Sequence, residues 1–193
     1  MFMTQLESAV AGVVTKEMKV VAEKERMDEE VLCSLVAAGK VVIPCNKQHT
    51  SISPEGIGKR LRTKVNVNLG TSKDVTDYDS EIEKVNRAIR LGAESIMDLS
   101  THGDTRIFRR KLIETSPVMI GTVPIYDSVI HHQKDLGELT AQDFLDTIRL
   151  HAQDGVDFIT IHSGITRKTI DQIKNHKRML NIVSRGGSLV FAW

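Results

Sequence analysis

The residues best suited to chemistry stand near the end of the chain, where Ser184-Arg185-Gly186-Gly187 follows a short apolar run. Consecutive glycines let backbone N–H groups approach an anion, a serine adds a hydroxyl, and an arginine adds a two-pronged donor. The run is therefore a candidate phosphate-binding loop. A glycine turn beside an unrelated arginine is the alternative interpretation.

Four further polar clusters each end an apolar run: Asn66 with Asn68, residues 97–104, Tyr126 with Asp127, and residues 160–163. Polar groups at the carboxyl ends of strands build the active sites of (βα) barrels. Taken singly, one residue of each cluster also has a structural interpretation. Asn68 is also typical of a strand-end amide, Met97 of a core residue, Tyr126 of a rim residue, and His162 of a packed core histidine. The clusters point to a site because all of them occur at the same kind of position.

The histidines and cysteines do not predict a metal site in this chain. His131 and His132 are adjacent, and adjacent positions on a helix do not face one another, so a solvated helix surface is expected. The other histidines lack the spacing of zinc ligands. Cys33 and Cys45 are twelve positions apart and form no CxxC pair, which is typical of a reduced, cytoplasmic compartment.

The composition excludes several partner classes. With 26 basic and 25 acidic residues the formal net charge is +1, so no global field favours nucleic acid or an anionic membrane. No apolar run approaches the ~20 residues of a membrane span. The first residues carry an acid and no basic region, so no signal peptide is expected. A cytoplasmic protein with a small-molecule ligand fits these observations.

The elements that must position the clusters fall into two parts. Residues 1–62 are predicted to be a small helical segment followed by a connecting loop. Thr4, Thr15 and Asp28 each precede a helical pattern as a potential N-cap. Residues 63–193 are predicted to be the first part of a barrel that binds the substrate. They contain five apolar runs separated by helical patterns: KVNVNLG, SIMDLS, MIGTVPIY, DFITIHSG and NIVSRGG.

Alternating polarity along the runs favours a barrel over an open doubly wound sheet. In KVNVNLG, Asn66 and Asn68 oppose the valines and the leucine, whereas an open sheet covered on both faces should be apolar on both. Pro124, inside the third run, is unfavourable for a central strand. An eight-stranded barrel needs about 250 residues, so the fold class is α/β, a partial (βα)8 TIM-type barrel of about five units. Its first and fifth strands would then be exposed edges.

Taken in order, the motifs resemble the phosphomethylpyrimidine synthase family of thiamine biosynthesis from Met3 to Trp193: IPCNKQH, GIGKRLRTKVNVNLGTS, MDLSTHGD, GTVPIY, GVDFITIHSG and NIVSRGG. The resemblance implies a TIM barrel that uses S-adenosylmethionine and a [4Fe-4S] cluster, with zinc. It implies a radical carbon–carbon lyase that converts 5-aminoimidazole ribonucleotide to 4-amino-5-hydroxymethyl-2-methylpyrimidine phosphate.

The resemblance also assigns substrate contacts, and these are Asn68, Met97, Tyr126, His162, Ser184, Arg185 and Gly186. Their implied role is positioning, because radical chemistry belongs to the cofactor. The family's cluster cysteines and zinc histidines follow motifs that this sequence lacks. We therefore expect the N-terminal part of such an enzyme, ending after the fifth strand, inactive alone and without metal ligands. Full-length relatives would be homodimers, or a second chain would complete the barrel.

Departures from the family's usual motifs leave two alternatives open. Gln48, His102, Asp127 and Ser163 differ from the residues common at those places. A sister group, the 5-hydroxybenzimidazole synthases that make a cobamide lower ligand, starts from the same ribonucleotide. The first alternative is that product. The second is an inactive fragment or binding subunit that needs a second chain.

Overall fold

The computed structural model describes residues 3–176, 179–180 and 182–193. Helices precede and then alternate with short strands. In chain order the elements are α1 (Gln5–Val10), α2 (Lys16–Glu25), α3 (Glu29–Ala37), β1 (Val41–Val42), β2 (Ile57–Gly58), β3 (Asn66–Leu69), α4 (Tyr78–Arg90), β4 (Ser95–Asp98), α5 (Thr105–Thr115), β5 (Met119–Thr122), α6 (Pro124–His132), a short 3-10 helix (Leu136–Glu138), α7 (Ala141–Asp154), β6 (Phe158–Ile159), α8 (Arg167–Asn175) and α9 (Arg185–Ala192).

The first three helices begin at the residues that the sequence predicts as caps. Thr4 forms a full capping box with Glu7, and the side chains of Thr15 and Asp28 accept backbone N–H bonds from the first turns of α2 and α3. These helices bury a core with Met18 and Leu32 at its centre. Strand β1 then pairs antiparallel with β2 in a small ribbon.

The main sheet confirms the predicted parallel arrangement for four strands, in the order β3-β4-β5-β6. A strand-helix sequence with neighbours in chain order is the topology expected of part of an α/β barrel. On β3, Val67 and Leu69 pack on the core beneath α4 and α5, while Asn66 and Asn68 are exposed on the other face. The predicted alternation of polarity is therefore present.

The predicted fifth strand is not formed by its described residues. Ile182 and Val183 lie outside any strand, and Asn181 lies outside the described residues. The run predicted as a loop instead starts a helix at Arg185, because the Ser184 side chain accepts a hydrogen bond from the backbone N–H of Gly187 at 3.1 Å. The serine is a helix cap, and the two glycines belong to the first turn of α9.

The third run is also shorter than predicted. Strand β5 ends at Thr122, and α6 begins at Pro124, two residues before Tyr126. Proline is favoured in the first helical turn, where its missing N–H would have no intrahelical partner. The proline that is unfavourable within a strand is therefore the start signal of a helix, and Tyr126 lies in that helix.

A loop of the N-terminal segment joins the amino ends of the strands. The Asn46 side chain donates to the carbonyl oxygens of Ala152 and Val156, at 2.8 and 3.0 Å. The Asn46 backbone donates to the carboxylate of Asp157, which precedes β6. These contacts place the IPCNKQH motif at the end of the sheet opposite the polar clusters, which in barrels is the end that serves stability and not catalysis.

Within the described ranges, no helix is both long enough and apolar enough to cross a membrane.

Candidate functional site

The polar clusters meet at the carboxyl end of the sheet, here called the mouth. Asn68 on β3 stands opposite Met97 on β4 in the parallel register. The Asn66 amide donates to the Oδ1 of Asn68 at 2.8 Å, which holds the exposed Asn68 side chain on the open face. Asn68 and Met97 are therefore adjacent at the mouth.

A glycine on β5 makes room for a large side chain of the next strand, β6. Gly121 on β5 pairs with Met97 on one side and with Phe158 on the other. A Cβ at Gly121 would lie 2.2 Å from the Phe158 ring, so that ring occupies the space of the missing side chain. Past the end of β6, the Thr160 hydroxyl lies 3.8 Å from the Met97 sulfur. Met97 is in this way linked to the segment that carries His162.

His162 contacts the start of α9 directly. Its Nε2 lies 3.0 Å from the Ser184 hydroxyl, and a Cβ on Gly186 would lie 2.0 Å from the imidazole ring. The absence of a side chain at Gly186 is therefore what lets the ring lie against the helix. Within the described part of the chain, the His162 Nδ1 is the one buried side-chain nitrogen or oxygen without a hydrogen-bond partner. Buried polar atoms without a partner are rare in native proteins, so this nitrogen is a candidate contact for a ligand, an ion or a water.

Tyr126 and Arg185 form the second contact between the mouth and α9. The guanidinium carbon of Arg185 lies 5.3 Å from the centroid of the Tyr126 ring. This separation is within the range of a cation–π interaction. The seven residues assigned from the resemblance thus lie in two groups: Asn68 with Met97, and Tyr126 and His162 with the 184–186 run.

The far end of α9 is anchored to α7. Trp193 packs edge to face on Phe144, with ring centroids 5.1 Å apart, and its indole N–H donates to the carbonyl of Leu139 at 2.7 Å. An apolar cavity of about 130 Å³ lies between these rings and His162. Helix α9 is therefore anchored at both ends: its start contacts the mouth, and its last residue packs on α7.

A buried charged cluster lies beneath the mouth, on the helix side of the sheet. Arg109 of α5 is 1% exposed, and its guanidinium donates to Asp127 at 3.2 Å and to Asp154 at 2.9 Å. Arg106 donates to the same Asp154 from a more exposed position. The cluster pairs two cations with two carboxylates. The sequence does not predict the role of Arg109, because its partners lie 18 and 45 residues away along the chain.

His151 of α7 completes the cluster as a neutral ring. Its Nε2 lies 3.0 Å from the Asp127 carboxylate and its Nδ1 lies 2.8 Å from the Thr122 hydroxyl. Burial lowers the pKa of His151, and the charge of Arg109 adds to that effect, against the opposing carboxylates. A carboxylate only accepts, so Nε2 carries the proton and Thr122 donates to Nδ1.

Two aspartates in this layer follow mouth residues directly and differ in their acidity. Burial raises the pKa of Asp98, next to Met97, to about 6, although Ser100 donates to it. Burial would also raise the pKa of Asp127, but hydrogen bonds from His151 and Thr105 and the charge of Arg109 hold it well below its usual range. Asp127 therefore stays ionised.

The adjacent histidines differ from each other, since only His131 has the predicted exposure. His131 is exposed, but His132 is half-buried, and its Nε2 lies 2.9 Å from the carbonyl oxygen of Asp143. The two rings touch edge to face at 4.8 Å. The pair joins α6 to the start of α7, so its role in the structure is packing between helices.

The comparisons with known proteins agree with one another. The model of the "Radical SAM ThiC family" matches residues 4–193. The chain is 56% identical over 192 residues to a phosphomethylpyrimidine synthase of Clostridioides difficile (strain 630). It is 55% identical to one of Clostridium perfringens (strain SM101 / Type A) and 53% identical to one of Alkaliphilus oremlandii (strain OhILAs). Each match covers 100% of this chain and 44% of the relative.

A family of radical S-adenosylmethionine enzymes implies that cofactor and an iron–sulfur cluster, and the cysteines here do not fit the cluster. Cys33 is buried in the N-terminal core, and burial raises the pKa of the Cys45 thiol to about 11. Clusters are held by three or four thiolates, and the sequence has two cysteines. The described residues also contain no group of three or more His, Cys, Asp or Glu that could hold a metal ion.

Proposed function

Because the chain belongs to the radical SAM ThiC family, we propose that it forms the substrate-binding part of a phosphomethylpyrimidine synthase. The substrate is 5-aminoimidazole ribonucleotide, and the product is the hydroxymethylpyrimidine phosphate of thiamine biosynthesis, made by a radical carbon–carbon lyase. The names of the relatives support this reaction. The two unpaired cysteines fit a reduced compartment, so we place the reaction in the cytoplasm.

The observation that carries the proposal is the contact of His162 and Tyr126 with the first turn of α9. A helix N-terminus presents backbone N–H groups and a partial positive charge to an anion. Ser184, Arg185 and Gly186 stand at that terminus and face the mouth residues. We assign the ribonucleotide phosphate to this run, which also gives the orphan Nδ1 of His162 a polar neighbour.

The residues of this chain bind and orient the substrate. Asn68 and Met97, on the adjacent strands, would contact the part of the ribonucleotide remote from the phosphate. Holding the reacting part in one geometry supplies a large share of catalysis in such enzymes. The cofactor supplies the radical when bound, and no step of that chemistry is assigned to Cys33 or Cys45.

Calorimetry with 5-aminoimidazole ribonucleotide and with its dephosphorylated nucleoside tests the phosphate assignment. Arg185→Ala should weaken nucleotide binding by about 1.5–3 kcal/mol, the scale of a charge-assisted hydrogen bond, and leave nucleoside binding unchanged. The matched control is Arg149→Ala, since Arg149 is exposed on α7 and, among the described residues, its ion pair is with the half-exposed Asp146. Equal affinity of the wild-type chain for both ligands would contradict the proposal.

The second candidate product is 5-hydroxybenzimidazole, from the same ribonucleotide. The observation in its favour is the pair of unusual residues near the mouth, His102 and Ser163, both exposed. The names of the relatives favour the pyrimidine. Product analysis of an active full-length relative carrying these 193 residues would separate the two, because the pyrimidine retains a phosphate and the benzimidazole does not.

The chain spans 44% of the length of the relatives it matches, and we propose that further residues are needed for turnover. These would come from the rest of a longer polypeptide or from a second chain that completes the barrel beside β3 and β6, with homodimers in the full-length enzyme. Cluster and zinc ligands would come from those residues. The isolated chain should form no 5′-deoxyadenosine from S-adenosylmethionine and reductant. Turnover that survives Cys33→Ser with Cys45→Ser would contradict this.

A further inference from the structure

Tyr126 and Asp127 occupy the first turn of α6 and face different environments. The Tyr126 ring lies at the mouth against Arg185, whereas the Asp127 side chain is buried in the helix layer. Successive helical residues differ by about 100° in direction, so one short turn reaches both places. The position of the ring therefore depends on how firmly this turn is held.

The turn has no cap of its own. Val123 occupies the N-cap position and makes no side-chain hydrogen bond, although the first N–H groups of a helix ordinarily need such a partner. Pro124 removes one of those donors and is buried, but its ring can form no hydrogen bond to a neighbouring element. A polar anchor for the first turn of α6 must therefore come from another residue.

Asp127 supplies that anchor through contacts on two neighbouring helices. Its Oδ1 accepts from the Thr105 hydroxyl at 2.5 Å, and its Oδ2 accepts from Arg109 at 3.2 Å and lies 3.0 Å from the His151 Nε2. The carboxylate is ionised and almost fully buried, so these bonds are charge-assisted and only weakly screened. They fix the first turn of α6 against both α5 and α7.

We infer that Asp127 is a positioning residue for the phosphate: by fixing the first turn of α6, it holds the Tyr126 ring against Arg185. This inference rests on the proposed function, because it concerns the same ribonucleotide phosphate. A guanidinium held over an aromatic face by a cation–π contact still has N–H donors free for a phosphate. Its freedom of rotation is already restricted before the ligand arrives, which favours binding.

The test is the phosphate increment, defined as the Kd of the nucleoside divided by the Kd of 5-aminoimidazole ribonucleotide. Both are measured by calorimetry on the full 193-residue chain. Asp127→Asn keeps the shape and removes the charge, and it should lower the increment about fivefold, a coupling within the range seen for neighbouring residues. In an Arg185→Ala background, Asp127→Asn should change the increment no further, because its effect passes through Arg185.

The matched control is Asp154→Asn. Asp154 pairs with the same Arg109 and is also buried, but it ends α7 and does not adjoin the mouth. This variant should lose stability as Asp127→Asn does and keep the wild-type increment. Thermal unfolding of every variant separates the loss of fold from the loss of phosphate affinity. If Asp127→Asn does not fold, Thr105→Val removes the shortest bond to the carboxylate, and it should also lower the increment while Asp154→Asn does not.

Three results would overturn the inference, the first together with the proposed function and the other two alone. A wild-type chain with an increment near one overturns the proposed function and this inference with it. A wild-type chain that prefers the phosphorylated ligand, together with an unchanged increment in Asp127→Asn, overturns the inference alone. An equal loss with and without Arg185 does the same, since a general effect on the fold would act in both backgrounds.

Discussion

The Nδ1 of His49 lies 2.7 Å from the Oδ2 of Asp157, and both side chains are fully buried. The other ring nitrogen, Nε2, lies 2.8 Å from the carbonyl oxygen of Ser116, which can only accept. Asp157 also accepts from the backbone N–H of Ile120 and Asn46, as an ionised carboxylate would. Both nitrogens of His49 therefore face acceptors, and the geometry favours an imidazolium that joins the N-terminal segment to the sheet.

Replacing His49 should give a stability change that depends on pH. Burial lowers the pKa of His49, but the hydrogen bond and charge of Asp157 outweigh burial and raise it. A raised folded pKa means that the stabilisation is full below the unfolded value of about 6.5 and is lost as the pH rises through the folded pKa. His49→Gln should lower the free energy of unfolding by about 3 kcal/mol near pH 6, and by less at higher pH.

Urea unfolding of the wild type and the variant across this pH range measures the difference. His102→Gln is the control, because His102 is exposed and the bond it forms, from the Thr71 hydroxyl, is to its backbone oxygen and not to its ring. A difference between wild type and His49→Gln that is constant with pH would mean that His49 is neutral in the folded protein.

Removing the charge of Asp98 should stabilise the protein in alkaline solution. Burial raises its pKa to about 6, so its favourable contribution is full below the unfolded value of about 3.9 and is lost as the pH rises through 6. Asp98→Asn keeps an oxygen to accept the Ser100 N–H. We expect about 1–2 kcal/mol of added stability near pH 8 and no gain near pH 4. Asp79→Asn, at a side chain that is 93% exposed, should give no such gain at either pH.

Gly186→Ala should reduce ribonucleotide binding with little loss of stability. The added methyl group would overlap the His162 ring, which is at the end of its side chain and can move away from the helix. Moving the ring breaks its contact with Ser184. Gly187→Ala is the matched control, since its nearest neighbour would be 3.2 Å away. Equal nucleotide affinity in the two variants would show that ribonucleotide binding does not require the His162 ring to lie against Gly186.

Gly121→Ala should destabilise the sheet by about 1–3 kcal/mol, the usual cost of overfilling a packed core. Its methyl group would overlap the Phe158 ring. Adding Phe158→Leu should recover part of the loss, and Gly137→Ala, at a glycine with no neighbour within 4 Å, should cost little. Chemical unfolding of the wild type and the three variants measures these differences. If Phe158→Leu recovers no stability, the strain in Gly121→Ala does not arise from overlap with the Phe158 ring.

The sequence predicts those parts of the structure that depend on local signals. Caps such as Thr4 and the alternating polarity around Asn68 each follow from neighbours a few residues away, and both are present. The strand ends are less well predicted, because the apolar letters around Val123 suit either state until Pro124 is recognised as a helix start. Ile182 and Val183 show the same ambiguity, since an apolar run resembles a strand wherever it occurs.

The candidate site, too, is predicted from the sequence only in part. The family motifs give Asn68, Tyr126 and His162, and whether these residues bind the ribonucleotide stays a prediction. No pattern in the sequence relates Arg109 to Asp154, because their contact exists only when α5 and α7 pack together. Orphan atoms such as the His162 Nδ1 are likewise visible only in three dimensions.

The buried charge of Arg109 has a consequence for how the chain can change over evolutionary time. Losing Asp127 or Asp154 alone leaves a buried cation with too few anions, which is strongly destabilising, whereas replacing a whole buried ionic group by apolar side chains of similar volume is often neutral. A single substitution at Arg109, Asp127 or Asp154 is therefore expected to destabilise the protein strongly and to be selected against. Related chains are expected to retain all three residues or to exchange them as a set, so these positions should covary even though they are far apart in the sequence.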